Sequence, residues 1–115
     1  MGLREIKGLP KLKELKVLEV HGNRLKQIGQ IEELTNLTSL NLINCQISDT
    51  KGLEKLTKLN WLGLSQNKLT NLKNLEKLTQ LEFLYVAHNP NLPFSEIVRL
   101  QKLLPKCQIK HNATE

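Results

Sequence analysis

Aromatic residues make up only 3% of this 115-residue chain: one tryptophan, one tyrosine and two phenylalanines. The core cannot be built from rings, so any place where the few rings gather needs a reason. Cysteine is scarcer still. Cys45 and Cys107, 62 positions apart, do not make the dense disulfide framework of a small secreted domain. No continuous apolar run is long enough to span a membrane, and the opening MGLREIKGLPKLKELK lacks the apolar segment of a signal peptide. A reducing, cytoplasmic setting is therefore expected. There is no glycine-rich phosphate loop, and no Ser/His/Asp grouping or paired carboxylate in a convincing context. Neither enzymatic activity nor a cofactor is expected.

What the chain has instead is leucine at regular intervals. Leu15, Leu37, Leu59 and Leu81 are spaced by 22 residues, as are Leu18, Leu40, Leu62 and Leu84. Val20, Leu42, Leu64 and Val86 keep the same step, and so do Leu12, Leu34, Leu56, Leu78 and Leu100. A further column is Ile6, Ile28, Thr50, Leu72 and Phe94, with one polar lapse at Thr50. Asn23, Cys45, Asn67 and Asn89 complete the pattern. Each copy reads L-x-x-L-x-L-x-x-N/C-x-L, which predicts a short strand followed by a bend. The bend buries backbone groups that need partners, and an inward asparagine amide can both donate and accept there. A thiol is smaller, donates weakly and tolerates burial, so Cys45 is expected to be a structural variant of the asparagine column.

A fifth copy is expected at the end of the chain. With one inserted residue, Leu104, Cys107, Ile109 and Asn112 match Leu81, Leu84, Val86 and Asn89. In the preceding segment Phe94, Ile97, Leu100 and Leu103 recur at helical spacing, with Ser95 placed to cap a helix and Pro105 to stop it. The chain thus divides into a partial N-terminal rung at 1–14, repeats at 15–93, and a C-terminal helix with a fifth strand at 94–115, all within one domain. Leu3, Ile6, Leu9 and Leu12 match the convex half of a rung, and are expected to fold over the first strand as a minimal lid.

The pattern resembles the 22-residue class of leucine-rich repeats, found in bacterial internalins and in the regulatory subunit of protein phosphatase 1. LTNLTSLNLINCQISDTKGLEKLTKL is especially similar to internalin repeats. LQKLLPKCQI resembles the close of many small leucine-rich repeat proteins. The resemblance implies an α/β fold: a right-handed solenoid with a short parallel β-sheet on its concave face. The convex segments would be irregular or 3-10, and a helix would cap the C-terminal end. It also implies a non-catalytic platform that binds another protein.

Repeat geometry limits metal chemistry. His21 and His88 are three rungs apart, roughly 14 Å, too far to share an ion. His88 and His111 fall in one column but lack an obvious third ligand, so no metal site is expected. The net charge of +6 permits an acidic partner. However, Lys11, Glu33, Lys55, Lys77 and Arg99 form a convex column bordered by Glu32, Glu54 and Glu76, and such alternation weighs against nucleic acid. Arg24, Lys26, Lys51, Lys68 and Lys73 are less compensated. They support an alternative reading, a basic adaptor that holds an acidic protein, RNA or membrane surface on its lysine-rich side.

Residues between the inward leucines of each strand project from the concave face. Val17, Ser39, Trp61, Phe83 and Lys106 form one projecting column. Glu19, Asn41, Gly63, Tyr85 and Gln108 form the next, and His21, Ile43, Ser65, Ala87 and Lys110 the third. The scarce rings therefore converge on two adjacent strands. The expected binding surface is Ile43, Trp61, Phe83 and Tyr85, with His21, Glu82, His88, Lys106 and Lys110 as its polar rim. The same patch, or the open N-terminal edge, is where copies of the chain could associate.

Overall fold

The computed structural model describes residues 13–20 and 31–113. Five three-residue strands form one parallel sheet in chain order: β1 Val17–Glu19, β2 Ser39–Asn41, β3 Trp61–Gly63, β4 Phe83–Tyr85 and β5 Gln108–Lys110. The first four pair at the repeat step, with Val17 beside Ser39, Ser39 beside Trp61, and Trp61 beside Phe83. Hydrophobic pattern fixes this register. The middle residues Leu40, Leu62 and Leu84 are fully buried, and a slip of one position would turn each toward solvent. On the convex side the chain winds through 3-10 turns at Leu53–Lys55 and Lys73–Leu75, which bury Leu53 and Leu75. The lid residues Leu3, Ile6, Leu9 and Leu12 lie outside the described residues, as do Asn23 and Ile28.

The asparagine column behaves as its chemistry requires. Asn67 donates through Nδ2 to the carbonyls of Leu42 (2.9 Å), Leu64 (2.9 Å) and Ser65 (3.2 Å). Its Oδ1 accepts from the N–H groups of Cys45 (2.9 Å) and Ile47 (3.0 Å) in the rung before. Asn89 repeats the arrangement, donating to Leu64, Val86 and Ala87 and accepting from Leu69. Cys45 donates its thiol to the Val20 carbonyl at 2.9 Å, the bond that Asn67 and Asn89 make one and two rungs later. Its place is architectural.

One residue before each ladder position the backbone enters the left-handed region: Asn44 has φ 56°, Gln66 φ 59° and His88 φ 60°. Side chains other than glycine resist this conformation, asparagine least. The turn is retained because it aims each N–H at the next rung. Asn44 donates to the Ser65 carbonyl (3.0 Å) and Gln66 to that of Ala87 (2.9 Å). His88 donates instead to a side-chain oxygen of the last rung, Asn112 Oδ1, at 2.8 Å.

Two expectations for the last rung need correction. Helix α1, Phe94–Leu103, begins one residue before Ser95, with extended Pro93 at its N-cap and no side-chain capping bond. β5 pairs with β4 through Phe83 beside Gln108, Leu84 beside Ile109, and Tyr85 beside Lys110. The step is therefore 25 residues and not 23. The cause is the helix, which rises only about 1.5 Å per residue and so needs more residues to span the rung. Asn112 accordingly caps the end of the ladder and is not its fifth member. Cys107 is still buried: its N–H donates to the Leu104 carbonyl at 3.1 Å, as that of Leu81 donates to Leu78 at 3.0 Å. Burial pushes its thiol pKa up to about 11, which makes it a poor nucleophile.

Helix α1 packs Ile97 and Leu100 onto the stack. It is also tied to the preceding rung by charge. Glu96 accepts from the Leu72 N–H at 2.9 Å and pairs with Arg99 at 3.0 Å, and Arg99 also reaches Glu76. The hydrogen bond from Arg99 holds the Glu96 carboxyl below its ordinary pKa. Lys55 pairs with Glu32 one rung away at 3.2 Å. Thr50, the polar lapse in its column, is buried, and its hydroxyl has no hydrogen-bond partner among the described residues. Thr50→Val should therefore stabilise the protein by about 1 kcal/mol in a denaturant melt, because an unpaired buried hydroxyl costs more than a methyl group. A loss of stability would show that the hydroxyl is satisfied.

Candidate functional site

Parallel register brings Trp61 beside Phe83 and Gly63 beside Tyr85 on the concave face. The Trp61 and Tyr85 rings meet at 5.1 Å between centroids with planes tilted by 37°, a separation at which rings attract. They meet across a glycine. A Cβ on Gly63 would stand 2.9 Å from two atoms of the Trp61 ring and 2.7 Å from Asn41 Oδ1. Only a residue without a side chain lets the indole lie this close to the backbone. The rings are consequently half-buried, as is Ile43, and not largely exposed as anchors standing clear of the surface would be.

Beside the rings is a small groove of about 190 Å³, lined by Asn41, Ile43, Trp61, Gly63, Ser65 and Tyr85. Asn41 is held in place by the Ile43 N–H, which donates to its Oδ1 at 3.2 Å. Asn41, Gly63 and Ser65 were not among the expected site residues. The signal for them was present, since Gly63 shares a register row with Asn41 and Tyr85, and a glycine in a strand invites close approach by a neighbour.

The rim is only partly as expected. Glu82 is exposed immediately before β4. Lys110 stands beside Tyr85, one row from its expected column, because of the longer last step. Lys106 precedes β5 in the turn and does not share the Phe83 row, which Gln108 occupies. His88 is exposed at the strand end, its ring Nδ1 3.2 Å from Asn112 Nδ2. His21 lies outside the described residues. His111 packs its ring on Phe94, 5.9 Å between centroids, so the two C-terminal histidines serve different neighbours. Among the described residues no three potential metal ligands gather. Nor does any described helix have the length and apolarity to cross a membrane. Lys51, Lys68 and Lys73 are exposed on the side that follows the strands, while Arg24 and Lys26 lie outside the described residues.

Comparison with known proteins gives the same architecture. A family model for leucine-rich repeats, in two copies, matches residues 13–55. An internalin of Listeria monocytogenes (inlF) superposes with a TM-score of 0.88 at 23% identity, covering 99% of this chain and 34% of its own. Internalin C2 of the same organism gives 0.85 at 25%, covering 95% and 47%. A leucine-rich repeat protein of Leptospira interrogans gives 0.79 at 34%, covering 89% and 26%. The chain thus spans less than half the length of each. No curated protein matches it. Leucine-rich repeats generally mediate protein–protein interactions and are typically not enzymes. The repeat spacing, the asparagine ladder, the parallel sheet and these likenesses agree: the chain is a leucine-rich repeat protein, internalin-like in its fold.

Proposed function

We propose that the concave face binds another protein, with Trp61, Tyr85, Phe83 and Ile43 as anchors and Glu82, His88 and Lys110 as polar rim. The observation that carries this reading is the half-buried Trp61–Tyr85 pair beside a groove that Ile43, Gly63 and Ser65 also line. In a chain with 3% aromatic content, three of the four rings lie on two neighbouring strands of one face, and none lies in the described core. Rings that are partly desolvated and held in place lose little entropy on binding, which suits them to be hot spots.

The test compares two sets of variants. Trp61→Ala and Tyr85→Ala should each lower folding stability by only about 1–2 kcal/mol, since each ring is half-buried. Each should weaken partner binding by about 2 kcal/mol or more, roughly thirtyfold. Reversing Lys51, Lys68 and Lys73 to glutamate should change binding little, and affinity should fall only modestly with salt. If the charge-reversed protein fails to bind while the aromatic variants bind normally, the basic-adaptor reading replaces this one.

A further inference from the structure

Which partner chemistry fits the groove is indicated by the row that crosses it. Register places Glu19, Asn41, Gly63, Tyr85 and Lys110 side by side across the five strands. Gly63, under the groove, is the central member. Glu19 and Lys110 end the row, both exposed. Each stands two strand spacings from the centre, about 10 Å. The groove itself carries no charge, since Asn41, Ile43, Trp61, Gly63, Ser65 and Tyr85 line it. The row is therefore uncharged in the middle, where Ile43 and the Trp61 ring supply apolar surface beside it, acidic at the β1 end and basic at the β5 end.

Three other described charges border the concave strands, Lys16 before β1, Glu82 before β4 and Lys106 in the turn before β5. They precede their strands, whereas five of the six residues that line the groove stand at the strand ends or beyond them: Asn41, Gly63 and Tyr85 close β2, β3 and β4, and Ile43 and Ser65 follow. Lys16 and Glu19 are three positions apart, about 10 Å along the strand. An occupant of the groove thus lies in the row that Glu19 and Lys110 terminate.

We infer that the groove takes a short extended peptide segment with an apolar side chain at its centre, a carboxylate toward β5 and a basic side chain toward β1. This inference rests on the concave-face reading and specifies its partner. An extended chain crossing the strands advances about 3.3 Å per residue, so about 10 Å corresponds to three residues. With the reach of a lysine side chain included, the acidic residue falls two to four positions from the apolar anchor. The basic residue falls at a similar distance on the other side. Opposite charges at the two ends also fix the direction in which the segment lies, since reversal would oppose like charges at both ends.

The experiment is selection of a random dodecapeptide display library against the folded full chain, in parallel with Trp61→Ala and Lys110→Glu, each checked by circular dichroism. Peptides enriched on the wild type should share an aliphatic or aromatic residue with Asp or Glu two to four positions to one side and Lys or Arg to the other. Trp61→Ala should abolish that enrichment. Lys110→Glu should reduce recovery of the acidic motif at least tenfold and favour a basic residue at the same position. Enrichment that needs Trp61 but shows no charge preference, or none altered by Lys110→Glu, overturns this inference and leaves the concave-face reading standing. Enrichment indifferent to Trp61→Ala overturns both. Failure of the wild type to enrich any peptide overturns the inference, since the partner would then be a folded surface.

Discussion

Asn67→Ala should lower the stability of the protein by about 3 kcal/mol or more. The side chain makes three donor contacts and accepts two backbone N–H groups, and all five bonds lie between or within rungs. Alanine leaves the Cys45 and Ile47 N–H groups and the Leu42 and Leu64 carbonyls buried with nothing to replace the amide. Each stranded group costs on the order of 1–3 kcal/mol, reduced where water can enter or the turn can relax. Cys45→Asn is the complementary change, expected to be neutral or stabilising because it restores the amide to a position where a thiol already donates to Val20. Urea melts of the two variants decide the matter. A protein indifferent to Asn67→Ala would remove the ladder as a source of stability.

A chain ending at Pro93 should lose cooperative folding and aggregate. Removal of α1 and β5 uncovers Leu84, Val86 and the outer edge of β4, and deletes Ile97, Leu100, Leu104 and Cys107 from the core. It also deletes Asn112, which satisfies the His88 N–H, and Glu96, which satisfies that of Leu72. In a solenoid each rung is stabilised by its neighbours, so loss at one end spreads inward, and an open strand edge recruits other chains. Size-exclusion chromatography and a thermal melt of the fragment provide the check. A monomeric fragment with a sharp transition would show that four rungs close without the cap.

Four of the five strands were legible in the sequence because their register depends on side chains that repeat: leucines that must face inward and asparagines that must meet buried amides. The fifth was displaced for a reason the columns could not show. Asn112 falls near the ladder spacing, yet its side chain reaches His88, because the helix uses more residues than a 3-10 turn. That difference moved Lys106 out of the Phe83 row and put Lys110 beside Tyr85. The clustering of Trp61, Phe83 and Tyr85 followed from strand alternation alone. The posture of Trp61 did not, since whether an indole stands up or lies down depends on the room beneath it. Gly63 supplies that room, and glycine's contribution is visible only beside its neighbours.

The described core is aliphatic except for Cys45 and Cys107, and holds neither tryptophan nor tyrosine. Both chromophores sit together outside it, 5.1 Å apart. The near-ultraviolet optical signals of this protein therefore report the environment of the concave face and are nearly blind to the leucine stack. Emission from Trp61 responds to anything that displaces its ring from Gly63 even when the rungs stay intact, whereas backbone dichroism responds to the rungs. A melt followed at both wavelengths separates loosening of the surface from collapse of the scaffold.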